Sequence, residues 1–582
     1  MCCSSATRSI AAWAAPRSRP FDLIRIYSLG AIPAFFFLYF GNVYIEPGAS
    51  EFIKVAELML RNAHLDGGLL NGGQGREIGM ALIWLLSGYE LSHSLTGVII
   101  IQVLMGLAIP VLCYLTLHPW LPRTAYYTGI AVALSLAPIL LAKTLHHDQP
   151  YIFFTILALY AFNRYTLTKS VGALYGMTAS IFAAGLMRDA GTGLFWLLMP
   201  ICALGAGRGN FKYIVLAVLM FVGANTAYAR YRATLQGNAA TQTLDVAAPG
   251  IQLFYNIYVN TSEFGVVLSP ELGPNVTWIL NGLHECLLPS PGESKELANM
   301  PGSPQFKKEN VDRYETDELI VKIATQSNRY YFMIIRRCFL ADQVSAIDRK
   351  MLGAAFEITL AHPLYILELF LRNSFQLLYD PGWIHARFAV GPRFRGGLHI
   401  PFGDDATLVE GGNVGDWQLD KHAVSEAEFI PLERQPRFVV NLYYAIDRVW
   451  YSAYHPMTVI VGCLAWFAWI SSAIGLLQRI IGGRRLAYWG KLFLSDAVIP
   501  ASIGISMILL GNVAVTAIAV DPLYRFDFSI LVLKIMLAGV GCAVMLELCR
   551  RMTLVFLTRG GCGGSASFER QSQMVLDAGE KQ

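Results

Sequence analysis

Charge is what this chain has least of. Asp, Glu, Lys and Arg together make up 15% of its 582 residues, against 54% hydrophobic residues. Soluble domains carry about a quarter charged residues and shorter apolar runs, so a soluble globular architecture is excluded. The net charge of +4 is too small to argue for nucleic acid, and no basic–aromatic patch supplies a footprint for one. No CxxC or CxxH spacing is present, which removes the usual zinc sites. Internal repeats and low-complexity tracts are also missing. The basic stretch around Arg8, Arg17 and Arg19 lacks an apolar core followed by a small-residue cleavage site. It reads as a retained anchor, not a cleaved signal.

Long apolar runs are present instead, and mean hydropathy is +0.45. Runs able to cross roughly 30 Å of hydrocarbon as helices fall at Ile26–Tyr44, Ser94–Leu117, Thr124–Ala142, Tyr151–Phe162 (extended to Leu167), Val171–Met187, Gly191–Leu204, Tyr213–Tyr228, Met457–Leu477, Ile499–Val520 and Phe528–Leu548. The fold class expected is an all-α polytopic membrane protein of about ten transmembrane helices, with exterior amphipathic helices and a large exterior loop region. Arg25 precedes the first span; Arg123, Arg164, Lys169, Arg208, Lys212, Arg479, Arg484, Arg485, Lys491, Arg550 and Arg551 fall in turns of the same parity. The positive-inside rule therefore places both termini in the cytoplasm.

The domain plan follows from this parity: a cytoplasmic N-terminus (1–25), a membrane module (26–229) whose first exterior loop is 47–93, an exterior insertion (230–456), closing membrane helices (457–549) and a cytoplasmic tail (550–582). The apolar run Glu357–Tyr379, with its His362-Pro363 step, would invert the later arginine pattern if it crossed. It is expected to be interfacial or re-entrant. Cys286 and Cys338 alone among the ten cysteines fall in exterior segments, where oxidation is allowed, and form the candidate disulfide. Asn260-Thr261-Ser262 and Asn275-Val276-Thr277 match the glycosylation pattern.

The remaining polar residues of interest lie in exterior turns. Glu51 heads an apolar stripe, Phe52, Val55, Ala56, Met59 and Leu60, whose spacing covers one face of a helix. Its carboxylate suits either a general base or a first-turn acid favoured by the helix dipole, with Ser50 as cap. Arg76 suits a phosphate or an ordinary headgroup contact. His146-His147-Asp148 reads as a polar turn, or as a pair (His147, Asp148) sharing a cation or a substrate hydroxyl. Arg188-Asp189 ends the fifth span, where a charge is costly unless paired or in a wet cavity. Tyr524-Arg525 precedes the last span and offers a ring and a phosphate ligand, or a headgroup anchor. Cytoplasmic turns carry Lys and Arg without such acid–base pairing.

In this order the residues resemble the GT-C superfamily of membrane glycosyltransferases, of the type that uses polyprenyl-phosphate-linked sugars such as dolichyl-phosphate mannose or aminoarabinose donors. Glu51 through Ala56 looks like the family's acid and alanine-bearing helix after the first span. Arg76-Glu77-Ile78-Gly79 stands where relatives continue with a basic residue and a turn. His147-Asp148, Arg188, His362-Pro363-Leu364-Tyr365 and Tyr524-Arg525 are similar to later family steps. The chain departs by having Glu for the usual Asp and by lacking the prolines of the turn. The resemblance implies Glu51 as base on the acceptor, and Asp148 as a ligand of substrate or of a divalent metal ion. It implies Arg76, Arg188 and Arg525 on the lipid phosphate, with His147 and Tyr524 beside them. The expected partners are a polyprenyl-phosphate sugar donor, a lipid, glycan or protein acceptor, and membrane lipids. The active site is expected on the periplasmic, extracellular or lumenal face. The alternatives are a transporter or flippase of lipid-linked sugars, and a glycan ligase or polymerase.

Overall fold

The structure, a computed structural model, describes residues 19–40, 56, 59, 78–88, 96–135, 138, 147–188, 190–206, 208–236, 249–262, 268–287, 339, 344–379, 437–438, 441, 457, 459–474, 495–519 and 524–560. Every regular element among them is helical. Apolar sequence of this kind satisfies its backbone most simply within each helix, where no water or partner strand is needed. The helices are α1 (Arg19–Phe40), α2 (Ile78–Leu86), α3 (Thr96–Leu117), α4 (Pro122–Leu134), α5 (Asp148–Thr168), α6 (Val171–Met187), α7 (Ala190–Leu204) and α8 (Phe211–Gln236). Then come α9 (Pro249–Ser262), α10 (Pro274–Leu287), α11 (Val344–Ala361), α12 (Pro363–Tyr379), α13 (Val459–Ile474), α14 (Ser495–Ala519) and α15 (Tyr524–Gly560).

Helix directions follow from the contacts. Asn163 near the end of α5 donates to the Thr116 carbonyl near the end of α3, so these two run parallel. α14 runs antiparallel to α5: a Cβ at Gly504 would press on Leu159 and Phe162, while Asn512 meets Tyr151. The starts of α3 and α5 and the junctions α6–α7 and α14–α15 therefore gather at one end of the bundle. Arg19, the end of α3 and the α5–α6 turn gather at the other. Between the ends, Tyr114, Tyr126, Phe162, Phe195, Ile505 and Val540 are fully buried in one continuous core.

Among the described residues, three helices are long and apolar enough to cross a membrane: Gly97–Leu117, Phe211–Tyr231 and Ile530–Arg550. Ten spans are more than this criterion identifies. α6 and α7, of 17 and 15 residues, reach about 25 and 22 Å at 1.5 Å per residue, short of a hydrocarbon core of roughly 30 Å. α5 has the length but carries Asn163 and Arg164 in its last turns.

The helices of the insertion form their own layer on α14. Two carboxylates of α11 organise it. Asp348 Oδ1 accepts from the backbone N–H of Gly250 (2.7 Å) and Ile251 (3.1 Å) at the start of α9. Glu357 accepts from the N–H of Asn275 (3.1 Å) and Val276 (2.9 Å) at the start of α10. One helix thus caps two others and matches their positive ends. Glu357 Oε1 also accepts from Asn275 Nδ2 at 2.6 Å. The amide nitrogen of this glycosylation-pattern asparagine is therefore already engaged. Glu357→Ala is expected to cost about 1–2 kcal/mol, the upper range for a lost cap. Hydrogen exchange should speed up at the start of α10 and leave the start of α9 protected; equal exchange at both would refute the separate-cap picture. At His362 the chain turns sharply: Ala346–Ala361 and Pro363–Phe375 are bent by 102°. Proline lacks the N–H to continue α11 and disfavours helical backbone at the residue before it. The geometry is that of a broken span or re-entrant elbow.

At the far end, Asp22 and Arg25 of α1 are buried, and Tyr114 Oη donates to Asp22 Oδ2 at 3.5 Å. His118, just past α3, packs against Tyr114 with ring centroids 5.0 Å apart and the rings tilted by 60°. Burial, and secondarily the Arg19 charge, lower its pKa, while Asp22 works the other way. A histidine depressed in the folded state adds stability above its unfolded pKa, about 6.5, and loses it as pH falls through the folded value. Thermal midpoints should therefore drop on acidification below that pH, and His118→Asn should flatten this part of the profile.

Candidate functional site

Asp148 opens α5, where an acid in the first turn is favoured by the helix dipole. Arg188 caps the end of α6 in an extended conformation. Because α5 and α6 form an antiparallel hairpin, residues 40 apart in sequence meet. Arg188 Nη1 lies 3.2 Å from Asp148 Oδ1, with the aspartate side chain 4% exposed and the arginine side chain 16%. His147 Nε2 is 3.7 Å from the same oxygen. An ion pair this dry persists because each partner offsets the other's desolvation; either alone would be strongly unfavourable.

Tyr151, one turn along α5, completes the group. Its ring lies under the Arg188 guanidinium at 5.3 Å from Cζ to centroid, a cation–π distance. Its hydroxyl donates to Asn512 Oδ1 of α14 at 2.8 Å. Asn512 Nδ2 in turn donates to the Ile508 carbonyl at 2.9 Å. Gln149, fully buried beside Asp148, donates to the Pro138 carbonyl. The result is a polar network running from α6 through α5 to α14 at the end of the bundle opposite Arg19.

α2 lies across that same end. Its start abuts the end of α6: a Cβ at Gly79 would run into the Leu186 carbonyl, so only glycine permits the approach. Its far end is held near the start of α3, since a Cβ at Gly97 would meet the Ser87 carbonyl. Ile78–Ala81, Ile83 and Trp84 are all buried. Ala56, from the expected apolar stripe, is fully buried and Met59 packs against the same core.

Glu51, Arg76, Asp189 and Cys338 lie outside the described residues. Tyr524 and Arg525 are the first two residues of α15, at the same end as Asp148. Cys286 closes α10. Phe339, next in sequence to Cys338, stacks on Trp278 of α10 with centroids 4.6 Å apart and packs against Gly282, one turn before Cys286. On Asp148, Oδ1 is already engaged by the Arg188 guanidinium. Among the described residues no three His, Cys, Asp or Glu side chains come together to hold a metal ion.

Sequence reasoning passed over Tyr151, Asn512 and Lys534. The first two sit inside apolar runs. Their signal was available, since a polar amide within a span must find a partner. Lys534 of α15 is 5% exposed, a buried amine inside a candidate span. No family model, no curated protein and no solved structure matches the chain.

Proposed function

We propose that the chain is an integral membrane glycosyltransferase of inverting type with about ten spans. It moves one sugar from a polyprenyl-phosphate carrier to a lipid, glycan or protein acceptor on the exterior face. The observation that carries this reading is the nearly dry Arg188–Asp148 pair at the bundle end opposite the arginine-rich turns. An acceptor oxygen attacks the anomeric carbon, its proton passes to the Glu51 carboxylate, and the bond from that carbon to the phosphate oxygen breaks. The electron pair leaves on the phosphate, whose charge a guanidinium stabilises best in a water-poor site. Arg188 supplies that group, with Arg76 and Arg525 as further phosphate contacts. His147, Asp148 and Tyr524 orient sugar hydroxyls. A lipid-linked donor suits the exterior face because nucleotide sugars are cytoplasmic.

Lys534 favours a second reading, a transporter or flippase of lipid-linked sugars, since that class places charge within spans. The purified protein in nanodiscs, given a polyprenyl-phosphate donor with a labelled hexose and detergent-extracted membrane glycolipids as acceptors, is expected to release label from the donor into a new product. An intact donor in this assay, together with donor scrambling across proteoliposomes, would replace the first reading with the second.

A further inference from the structure

The Arg188 guanidinium is fixed on two sides. Its edge is set by Asp148 at 3.2 Å and its face by the Tyr151 ring at 5.3 Å. The ring is itself anchored at both ends. The Tyr151 backbone N–H donates to the His147 carbonyl at 3.0 Å, and its hydroxyl donates to Asn512 at 2.8 Å. Asn512 has its amide oriented by Nδ2 donating to Ile508, so that Oδ1 faces the phenol. A half-buried amide and a buried phenol, 361 residues apart in sequence, meet between two helices, in a setting where the phenol needs a partner. Packing alone calls for neither: Phe and Leu would fill the same volume without a desolvation cost.

We infer that Tyr151 and Asn512 are positioning residues that aim the Arg188 guanidinium at the phosphate of a polyprenyl monophosphate. The inference rests on the glycosyltransferase reading for its ligand. The chain of contacts is Ile508, Asn512, Tyr151, Arg188. Freeing the phenol lets the ring tilt, and the guanidinium then keeps its charge but loses its aim. Planar recognition of phosphate depends on that aim in a way that a point charge does not. Helix α14 thus reaches the phosphate-binding group, more than 300 residues earlier in the chain, through one hydrogen bond.

The test is binding of a polyprenyl monophosphate by full-length protein in zwitterionic nanodiscs, with phosphatidylglycerol and inorganic phosphate as comparison arms. Wild type should prefer the polyprenyl monophosphate over both, and Arg188→Ala should abolish that preference. Tyr151→Phe and Asn512→Leu should each weaken binding about tenfold, the effect of one well-placed hydrogen bond in a dry site, and the double variant should lose no more than either single. Asn512→Gln, which keeps an acceptor amide, should recover part of the loss. Thermal midpoints of Tyr151→Phe should fall only slightly, since one hydrogen bond is lost while the ring stays packed, which separates aim from packing. Binding lost in Arg188→Ala but unchanged in Tyr151→Phe and Asn512→Leu overturns the positioning role and leaves the functional reading intact. Absence of any preference in wild type overturns both.

Discussion

Arg188→Ala should lower the stability of the folded protein by about 3–5 kcal/mol, the cost of leaving one partner of a buried pair uncompensated. The size follows from the asymmetry of burial. The guanidinium retains some access to water, but the Asp148 carboxylate that remains has almost none. Asp148→Asn in the same background should recover a large part of the loss, because an amide needs no counter-charge. The two losses should therefore be strongly non-additive, with a coupling well above the few tenths of a kcal/mol seen for independent positions. Arg188→Lys separates the two contacts that hold the guanidinium. An ammonium still pairs with Asp148, but it lacks the plane that lies over Tyr151, so an intermediate loss is expected. Thermal and urea unfolding in a fixed detergent measure all three. Equal midpoints for wild type and Arg188→Ala would mean that Asp148 gives up its charge when the arginine leaves.

What could be read from the sequence divides by the range of the interaction. Helices are local, and the boundaries expected for Val171–Met187 and Ser94–Leu117 lie within two residues of those of α6 and α3. The turn residues Asp148 and Arg188 were recognisable because charge stands out in apolar sequence. Their pairing follows from the short α5–α6 hairpin, which returns the chain to the same end. The clamp on the insertion was beyond reach: Asp348 and Glu357 cap helices 97 and 82 residues away, and nothing at Gly250 or Asn275 announces a distant partner. Local caps have sequence signatures; long-range ones do not. Tyr151 stands at the start of an apolar run, where an aromatic ring announces nothing. Its role arises from Asn512, another 361 residues on. The elbow at His362 was legible in kind, since His362-Pro363 breaks a helix, whereas the 102° of the bend is set by how α12 packs on α14.

Glu51→Gln should reduce sugar transfer by about 10²–10⁴-fold, the usual contribution of a positioned general base. The substitution keeps shape and volume and removes only the capacity to accept a proton. Donor binding, which the proposed function assigns to Arg76, Arg188 and Arg525, should therefore be unchanged, and the loss should fall on kcat and not on KM. If the carboxylate serves only the positive end of a helix, the substitution costs about 0.3–1 kcal/mol of stability and leaves transfer alone. The two roles thus differ in which measurement moves. They differ again with pH. A base gives wild type an acid limb on which transfer rises as the carboxylate ionises, and Glu51→Gln should lack that limb. Glu51→Asp adds a test of reach, since the family resemblance places an aspartate here. Partial transfer with the acid limb retained would show that the site accepts the shorter carboxylate. Full transfer by Glu51→Gln in folded protein would remove Glu51 from the mechanism. Proton acceptance would then have to be sought among the groups around Arg188, where Asp148 is the carboxylate in reach of the same guanidinium.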